Sequence, residues 1–172
     1  LGHPWCKQWF HVHHLNTNSG KMSKSKGEFL TVSLLREKGY DPLAYRFFCL
    51  QSHYRKALVF SWENLANAAT AYQKLVKKIA ALKPGDGGVD ETVVKEYREK
   101  FIQQVGNDLN TAQGITLLYD ALKAKTGDAT RLAILADFDQ VLSLSLLEKA
   151  AAEREKLQAA AQLTAQVRSE ER

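Results

Sequence analysis

Ser61-Trp62-Glu63-Asn64-Leu65-Ala66-Asn67-Ala68-Ala69-Thr70-Ala71-Tyr72-Gln73-Lys74-Leu75-Val76-Lys77-Lys78-Ile79-Ala80-Ala81-Leu82 is the longest periodic stretch of the chain. Ser61 is a hydroxyl residue of the kind that caps a helix N-terminus. Leu65, Ala68, Tyr72, Leu75, Ile79 and Leu82 then recur every three or four residues, which is one apolar stripe on a 3.6-residue period. The spacing predicts one long amphipathic helix, and such a stripe needs other elements to cover it. The helix is closed by Lys83-Pro84-Gly85-Asp86-Gly87-Gly88, the clearest linker in the sequence.

Downstream, Asp90 restarts a helix carrying Val94, Tyr97, Phe101 and Val105. Asn110 caps another with Ala112, Ile115, Leu118 and Leu122, and Leu132, Leu135 and Leu142 mark one more after Lys125-Thr126-Gly127-Asp128. From Leu147 the chain is rich in Ala, Glu, Gln and Arg, with a thin apolar face, which predicts a frayed or protruding helical tail. Upstream, Thr31 to Gly39 suits a short helix, and Asp41-Pro42 is a start signal: Asp caps, and Pro lacks an N–H that would go unpaired there anyway. Leu43, Phe47, Leu50 and Tyr54 continue at helical spacing, so everything after Thr31 reads as helix. Four or five amphipathic helices on short loops imply an antiparallel bundle. Ahead of them, Trp5 to Leu15 reads as a short β-rich or irregular segment and Asn16 to Gly20 as a turn.

The chain has 172 residues, 45% apolar, 25% charged and 9% aromatic, which are globular proportions. No run of about 18 apolar residues is present, so no membrane-spanning helix is expected. Two cysteines, Cys6 and Cys49, do not make a disulfide framework, and a reducing cytoplasmic setting is expected. No signal peptide is visible and Met22 is the only methionine, so the expectation is a chain starting inside a longer protein. The net charge of +5 is concentrated: residues 1–60 hold nine Lys/Arg against three acids, and all five histidines. Contact with a polyanion, either nucleotide phosphate or nucleic acid, is expected in that third, against the bland reading of charge for solubility.

Within it lies Lys21-Met22-Ser23-Lys24-Ser25, a basic loop with hydroxyls and free backbone N–H groups. It can offer two ammonium groups to oxygens whose charge grows during a reaction. A solvated basic turn has the same composition, and the flanking residues separate the two readings. Trp9-Phe10-His11 precedes the loop and Lys24-Ser25-Lys26-Gly27-Glu28-Phe29 closes it. Asp41-Pro42-Leu43-Ala44-Tyr45-Arg46-Phe47-Phe48, Ser52-His53-Tyr54-Arg55-Lys56, Phe60-Ser61-Trp62-Glu63-Asn64-Leu65 and Asp108-Leu109-Asn110-Thr111-Ala112 follow in order.

The loop resembles the signature loop of class I aminoacyl-tRNA synthetases, and the flanks resemble those of cysteinyl-tRNA synthetase. The likeness is dense through residues 1–70 and sporadic to about 148; His13 and Glu28 depart from the pattern. It implies a mainly α chain: an antiparallel bundle of the anticodon-binding type, behind a short β/loop remnant of a Rossmann-like catalytic domain. The implied division is 1–30 for the catalytic edge, 31–60 for connecting and stem-contact helices, 61–148 for the bundle and 149–172 for the tail. The implied activity is activation of cysteine with ATP and its transfer to cysteine tRNA. Lys24 and Lys21 are then catalytic, and Lys21, Met22, Ser23, Lys24 and Ser25 bind the phosphates of Mg-ATP.

The family's other ATP signature, His-x-Gly-His, is absent, and His11-Val12-His13-His14 is not that motif. Its zinc ligands are expected N-terminal to this chain, so no metal ligand is assigned here and the chain alone is expected to be inactive. On a strand, His11 and His13 would share a face at a zinc-compatible spacing, but no third ligand accompanies them. Expected partners are cysteine tRNA, ATP and cysteine, with the protein a monomer. Arg46, Arg55 and Lys56 are the candidate tRNA contacts. On a continuous helix Arg46, His53 and Tyr54 share one face; the alternative is that Arg46 and Arg55 tie helices together through carboxylates and carbonyls. Two other functions compete: a paralogous ligase joining cysteine to a small amine, and a non-catalytic tRNA-binding module. The intact Lys21–Ser25 loop argues against the module, and the long helical region against the small acceptor.

Overall fold

The computed structural model describes residues 2–3, 5–17, 20–21, 30–85 and 87–170. Two short strands, β1 (Leu15–Thr17) and β2 (Gly20–Lys21), come first. Helices α1 (Val32–Glu37) and α2 (Pro42–Leu50), strand β3 (Leu58–Phe60) and helix α3 (Trp62–Ala80) follow. Then come α4 (Glu91–Gly106), α5 (Thr111–Leu122), α6 (Asp128–Leu142) and α7 (Leu146–Glu170).

The helix starts are set by their caps. Thr31 Oγ1 accepts from Leu34 N at 3.1 Å, Asp41 Oδ1 from Leu43 N at 2.9 Å and Ser61 Oγ from Asn64 N at 3.0 Å. Asp90 Oδ1 accepts from Thr92 N and Asn110 Oδ1 from Gln113 N. Each such cap contributes about 1 kcal/mol. Helix α6 instead starts on Gly127, without a side-chain cap.

Contacts give the directions of the five long helices. Asp90 N donates to Thr130 Oγ1, Arg98 pairs with Asp137 and Phe101 stacks on Phe138, so α4 and α6 run the same way. Lys83 N donates to Asp128 at the start of α6, and the Tyr72 hydroxyl donates to Leu144 O past its end, so α3 opposes α6. Lys77 meets Glu153, which sets α7 alongside α3. A side chain at Gly114 would lie 3.0 Å from Val105 Cγ2 and 3.1 Å from Phe101 Cε2, so the start of α5 packs closely on the end of α4 and opposes it. Direction therefore alternates from α3 to α7, as the antiparallel reading expects. The core between these helices holds Leu65, Leu75, Ile79, Leu118, Ile134, Leu135 and Phe138, all fully buried. Each such side chain is worth about 1.5–3 kcal/mol in burial alone. The far part of α7 carries Leu157 and Leu163 exposed, as its thin apolar face predicts.

Two expectations fail. The chain after Thr31 is not all helix: residues 58–60 form a strand, and the sheet order is β2-β1-β3. Strand β3 pairs parallel to β1 (Leu15 opposite Leu58, Thr17 opposite Phe60), and β1 pairs antiparallel to β2 (Asn16 opposite Lys21). Second, α2 ends at Leu50, so Arg46, His53 and Tyr54 do not share a helical face. The cause is tertiary. Reaching β1 requires the chain to leave the helix, and it does so in a turn with Ser52 N on Cys49 O and Lys56 N on His53 O. Trp5 to His14 is irregular, so His11 and His13 lie outside any strand.

Candidate functional site

The turn between α2 and β3 exposes Tyr54 and Arg55 to a carboxylate from far along the chain. Asp108, in the corner between α4 and α5, accepts from Arg55 Nε at 2.7 Å and from Nη2 at 3.2 Å. The Tyr54 hydroxyl donates to the same carboxylate at 2.5 Å, and His53 Nε2 lies 3.7 Å away. The Arg55 guanidinium also sits over the Tyr54 ring at 4.9 Å. Tyr54 also stacks on Phe10, with centroids 4.7 Å apart, and its carbonyl accepts from His13 N at 2.9 Å. The N-terminal segment, the 51–57 turn and the α4–α5 corner thus meet at one clasp.

The corner is shaped for this. Asp108 and Leu109 have φ of 56° and 54°, the left-handed region that L side chains rarely adopt. Such conformations cost on the order of 1–3 kcal/mol each and persist only where surroundings hold them. Thr111 Oγ1 adds a bond to Leu50 O at 2.9 Å.

The charges are fixed, not poised. The hydrogen bonds from Arg55 and then Tyr54 hold the Asp108 carboxyl down at about 2. The bond to Asp108 in turn raises Tyr54 and Arg55. A carboxyl lowered in the fold stabilises it above the ordinary carboxyl range and loses that contribution as pH falls through the lowered value. The clasp is expected to be intact above about pH 4 and to open as pH falls to about 2. An NMR titration of the Asp108 side-chain carbonyl should show that midpoint; an ordinary value near 4 would mean the clasp does not form in solution.

Under the clasp lies a cavity of about 380 Å³, lined by Phe10, His13, Tyr45, Cys49, Lys56 and Leu109 among others. Burial, and secondarily Cys49, pushes the Tyr45 phenol up to about 12, and burial raises the Cys49 thiol as well. Both stay protonated near neutrality.

Of the residues singled out in the sequence, Arg55 and Lys56 come together here, Arg55 in the clasp and Lys56 exposed at the cavity. Lys56 has no ion pair among the described residues. Arg46 points elsewhere: its Nε donates to Leu142 O at 2.6 Å and ties α2 to the end of α6. So Arg46 ties through a carbonyl and Arg55 through a carboxylate, the alternative weighed for them above. Lys21 is described only as backbone in β2, while Met22, Ser23, Lys24 and Ser25 lie outside the described residues. Among the described residues no group of three or more His, Cys, Asp or Glu is placed to hold a metal ion. None of their helices is long and apolar enough to cross a membrane. Reading the sequence did not single out Asp108 as Arg55's partner. Asp108 was legible only as the first residue of a motif, and 53 residues separate the pair.

Residues 1–70 match the family described as the catalytic domain of class I tRNA synthetases (C). Among curated proteins the chain is similar to a cysteine–tRNA ligase of Novosphingobium aromaticivorans, 44% identical over 144 residues, covering 81% of this chain and 29% of that protein. It is 35% identical over 162 residues to the cysteine–tRNA ligase of Borreliella burgdorferi, covering 87% of this chain and 34% of the relative. It is 38% identical over 141 residues to cysteine–tRNA ligase 1 of Burkholderia lata, covering 81% and 29%. The chain spans about a third of the length of the curated relatives it matches.

Proposed function

Because the chain belongs to the cysteine–tRNA ligase family of class I synthetases, we propose that it is part of an enzyme that charges cysteine tRNA. In that reaction the cysteine carboxylate displaces pyrophosphate from ATP to give cysteinyl-adenylate. The terminal ribose hydroxyl of the tRNA then takes the cysteinyl group and releases AMP. Lys21 and Lys24, with Met22, Ser23 and Ser25 in the same loop, bind the phosphates and stabilise their growing charge. Lys suits this role as a compact cation on a flexible stem. Mg-ATP supplies the electrophilic phosphorus when bound. Zinc in the whole enzyme is held by residues outside this chain. The match of residues 1–70, which contain the loop, is the observation that carries the reading.

On this proposal residues 1–30 are the edge of the catalytic domain and 31–60 the connecting, stem-contact segment, which includes β3. Residues 61–148 are the anticodon-binding-type bundle and 149–172 its helical tail. The enzyme is a cytoplasmic monomer, and the chain by itself is inactive. Aminoacylation by the full-length protein tests the function, with cysteine, ATP and a choice of acceptors. Cysteinyl-tRNA is the expected product. An amide of cysteine with a small amine and no charged tRNA would overturn the proposal in favour of the paralogous ligase. Charging of no acceptor would favour the non-catalytic module.

Lys56 and Arg46 should separate in tRNA binding. Lys56→Ala is expected to weaken binding and reduce the slope of log affinity against log salt by about 1, as follows when one fewer phosphate is neutralised. Arg46→Ala is expected to lower stability by about 1–3 kcal/mol by removing the bond to Leu142 O, with the slope unchanged. Filter binding across a salt series and urea denaturation measure the two. Equal slopes for Lys56→Ala and the parent protein would remove Lys56 from the interface.

A further inference from the structure

We propose that Asp108 is a positioning residue. It couples the α4–α5 corner to the segment that enters β1, and through β1 to the backbone of Lys21. Each link is a contact between described residues. The Asp108 carboxylate holds Arg55 Nε and the Tyr54 hydroxyl. Tyr54 in turn holds the N-terminal segment twice, by its carbonyl on His13 N and its ring on Phe10. Two residues past His13 the chain enters β1, where Asn16 lies opposite Lys21 in the register.

The pair lies at the surface, with the Arg55 and Asp108 side chains 64% and 45% exposed, and three observations make it a link between segments. The guanidinium is held through two nitrogens, a geometry that fixes orientation as well as distance. The third donor, Tyr54, is the residue that contacts the N-terminal segment. The corner holds two successive non-glycine residues at positive φ, which aim the carboxylate at the turn. The other tie at this corner, Thr111 to Leu50, reaches the end of α2 and does not touch Tyr54. Asp108 is therefore one route by which the helical bundle acts on the N-terminal segment, beside the pairing of β1 with β3. Only the kinetic part of the test below rests on the cysteine-activating function proposed above.

The test uses Asp108→Asn, Asp108→Ala, Arg55→Ala and the Arg55→Ala/Asp108→Ala double variant in the full-length protein. The first readout is hydrogen exchange. The His13 amide should exchange at least tenfold faster in Asp108→Ala, while amides around Phe138 in α6 keep the parent rate. Unchanged exchange at His13 overturns the coupling, whatever the enzyme does. Equal acceleration in α6 also overturns it, since that is general loss of stability. The second readout is cysteine-dependent ATP–pyrophosphate exchange. Misplacement on the order of 1 Å at a reacting group can cost about a hundredfold. We therefore expect kcat in Asp108→Ala to fall by roughly ten- to a hundredfold with KM for cysteine unchanged. The double variant should fall no further than the single, as for residues that act as one unit. Parent-like kcat in a well-folded Asp108→Ala overturns the positioning role. A parent protein with no exchange activity refutes the proposed function instead, and the His13 exchange rate still decides the coupling.

Discussion

Replacing Lys24 by alanine in the full-length protein is expected to slow cysteine-dependent ATP–pyrophosphate exchange by about a hundred- to a thousandfold, while cysteine binding changes little. The size follows from the kind of interaction. A group aimed at charge that develops in the transition state is commonly worth about 2.7–4 kcal/mol in a water-poor site, and nearly all of it falls on the rate. A group that only holds the substrate raises KM and leaves kcat alone. Lys24→Arg tests geometry at constant charge, since the planar guanidinium does not replace a compact ammonium. Initial rates at saturating ATP, with cysteine affinity measured separately, separate the two effects. Parent-like exchange in Lys24→Ala would remove the loop from the mechanism and leave the basic cluster as a solvated turn.

Replacing Phe138 by alanine is expected to cause the largest loss of stability from a single change in the bundle. Phe138 is fully buried, and its ring stacks on Phe101 with centroids 4.2 Å apart and planes at 19°. A buried Phe→Ala change costs about 3–5 kcal/mol, because the forfeited burial is joined by the cavity left behind. Total stability for a domain is about 5–15 kcal/mol. One substitution would therefore consume about a fifth or more of it and lower Tm by roughly 6–20 °C. As a control, Leu163→Ala on the far part of α7, where Leu163 is 65% exposed, should stay within about 0.5 kcal/mol. Urea midpoints at constant m-value measure both. A loss below about 1 kcal/mol for Phe138→Ala would mean that α4 and α6 close over the gap.

Thr31, Asp41, Ser61, Asp90 and Asn110 all cap the helices that the sequence places after them. These signals were legible because a cap and its N–H partner lie within three residues of each other. The apolar stripe of α3 was legible for a similar reason: its period is a property of one helix, and Leu65, Tyr72, Leu75 and Ile79 face the core as that period requires. Strand β3 was not. Leu58-Val59-Phe60 is three residues long, too short for alternation to register, and it becomes a strand because β1 lies beside it. The end of α2 at Leu50 follows from the same pairing.

At the candidate site, residue types were readable and their partners were not. The sequence by itself determined the helical class, the helix starts, the break between α3 and α4 and the basic N-terminal third. All of these are set by spacing, charge and backbone chemistry within a few residues. Tertiary structure alone decided that Arg55 closes on Asp108, that Arg46 ends on the Leu142 carbonyl, and that Tyr54 bridges the bundle to the N-terminal segment. A guanidinium carries the same charge and the same donors toward a phosphate, a carboxylate or a carbonyl. Which of them it meets depends on what the fold brings within about 3 Å from 53 or 96 residues away.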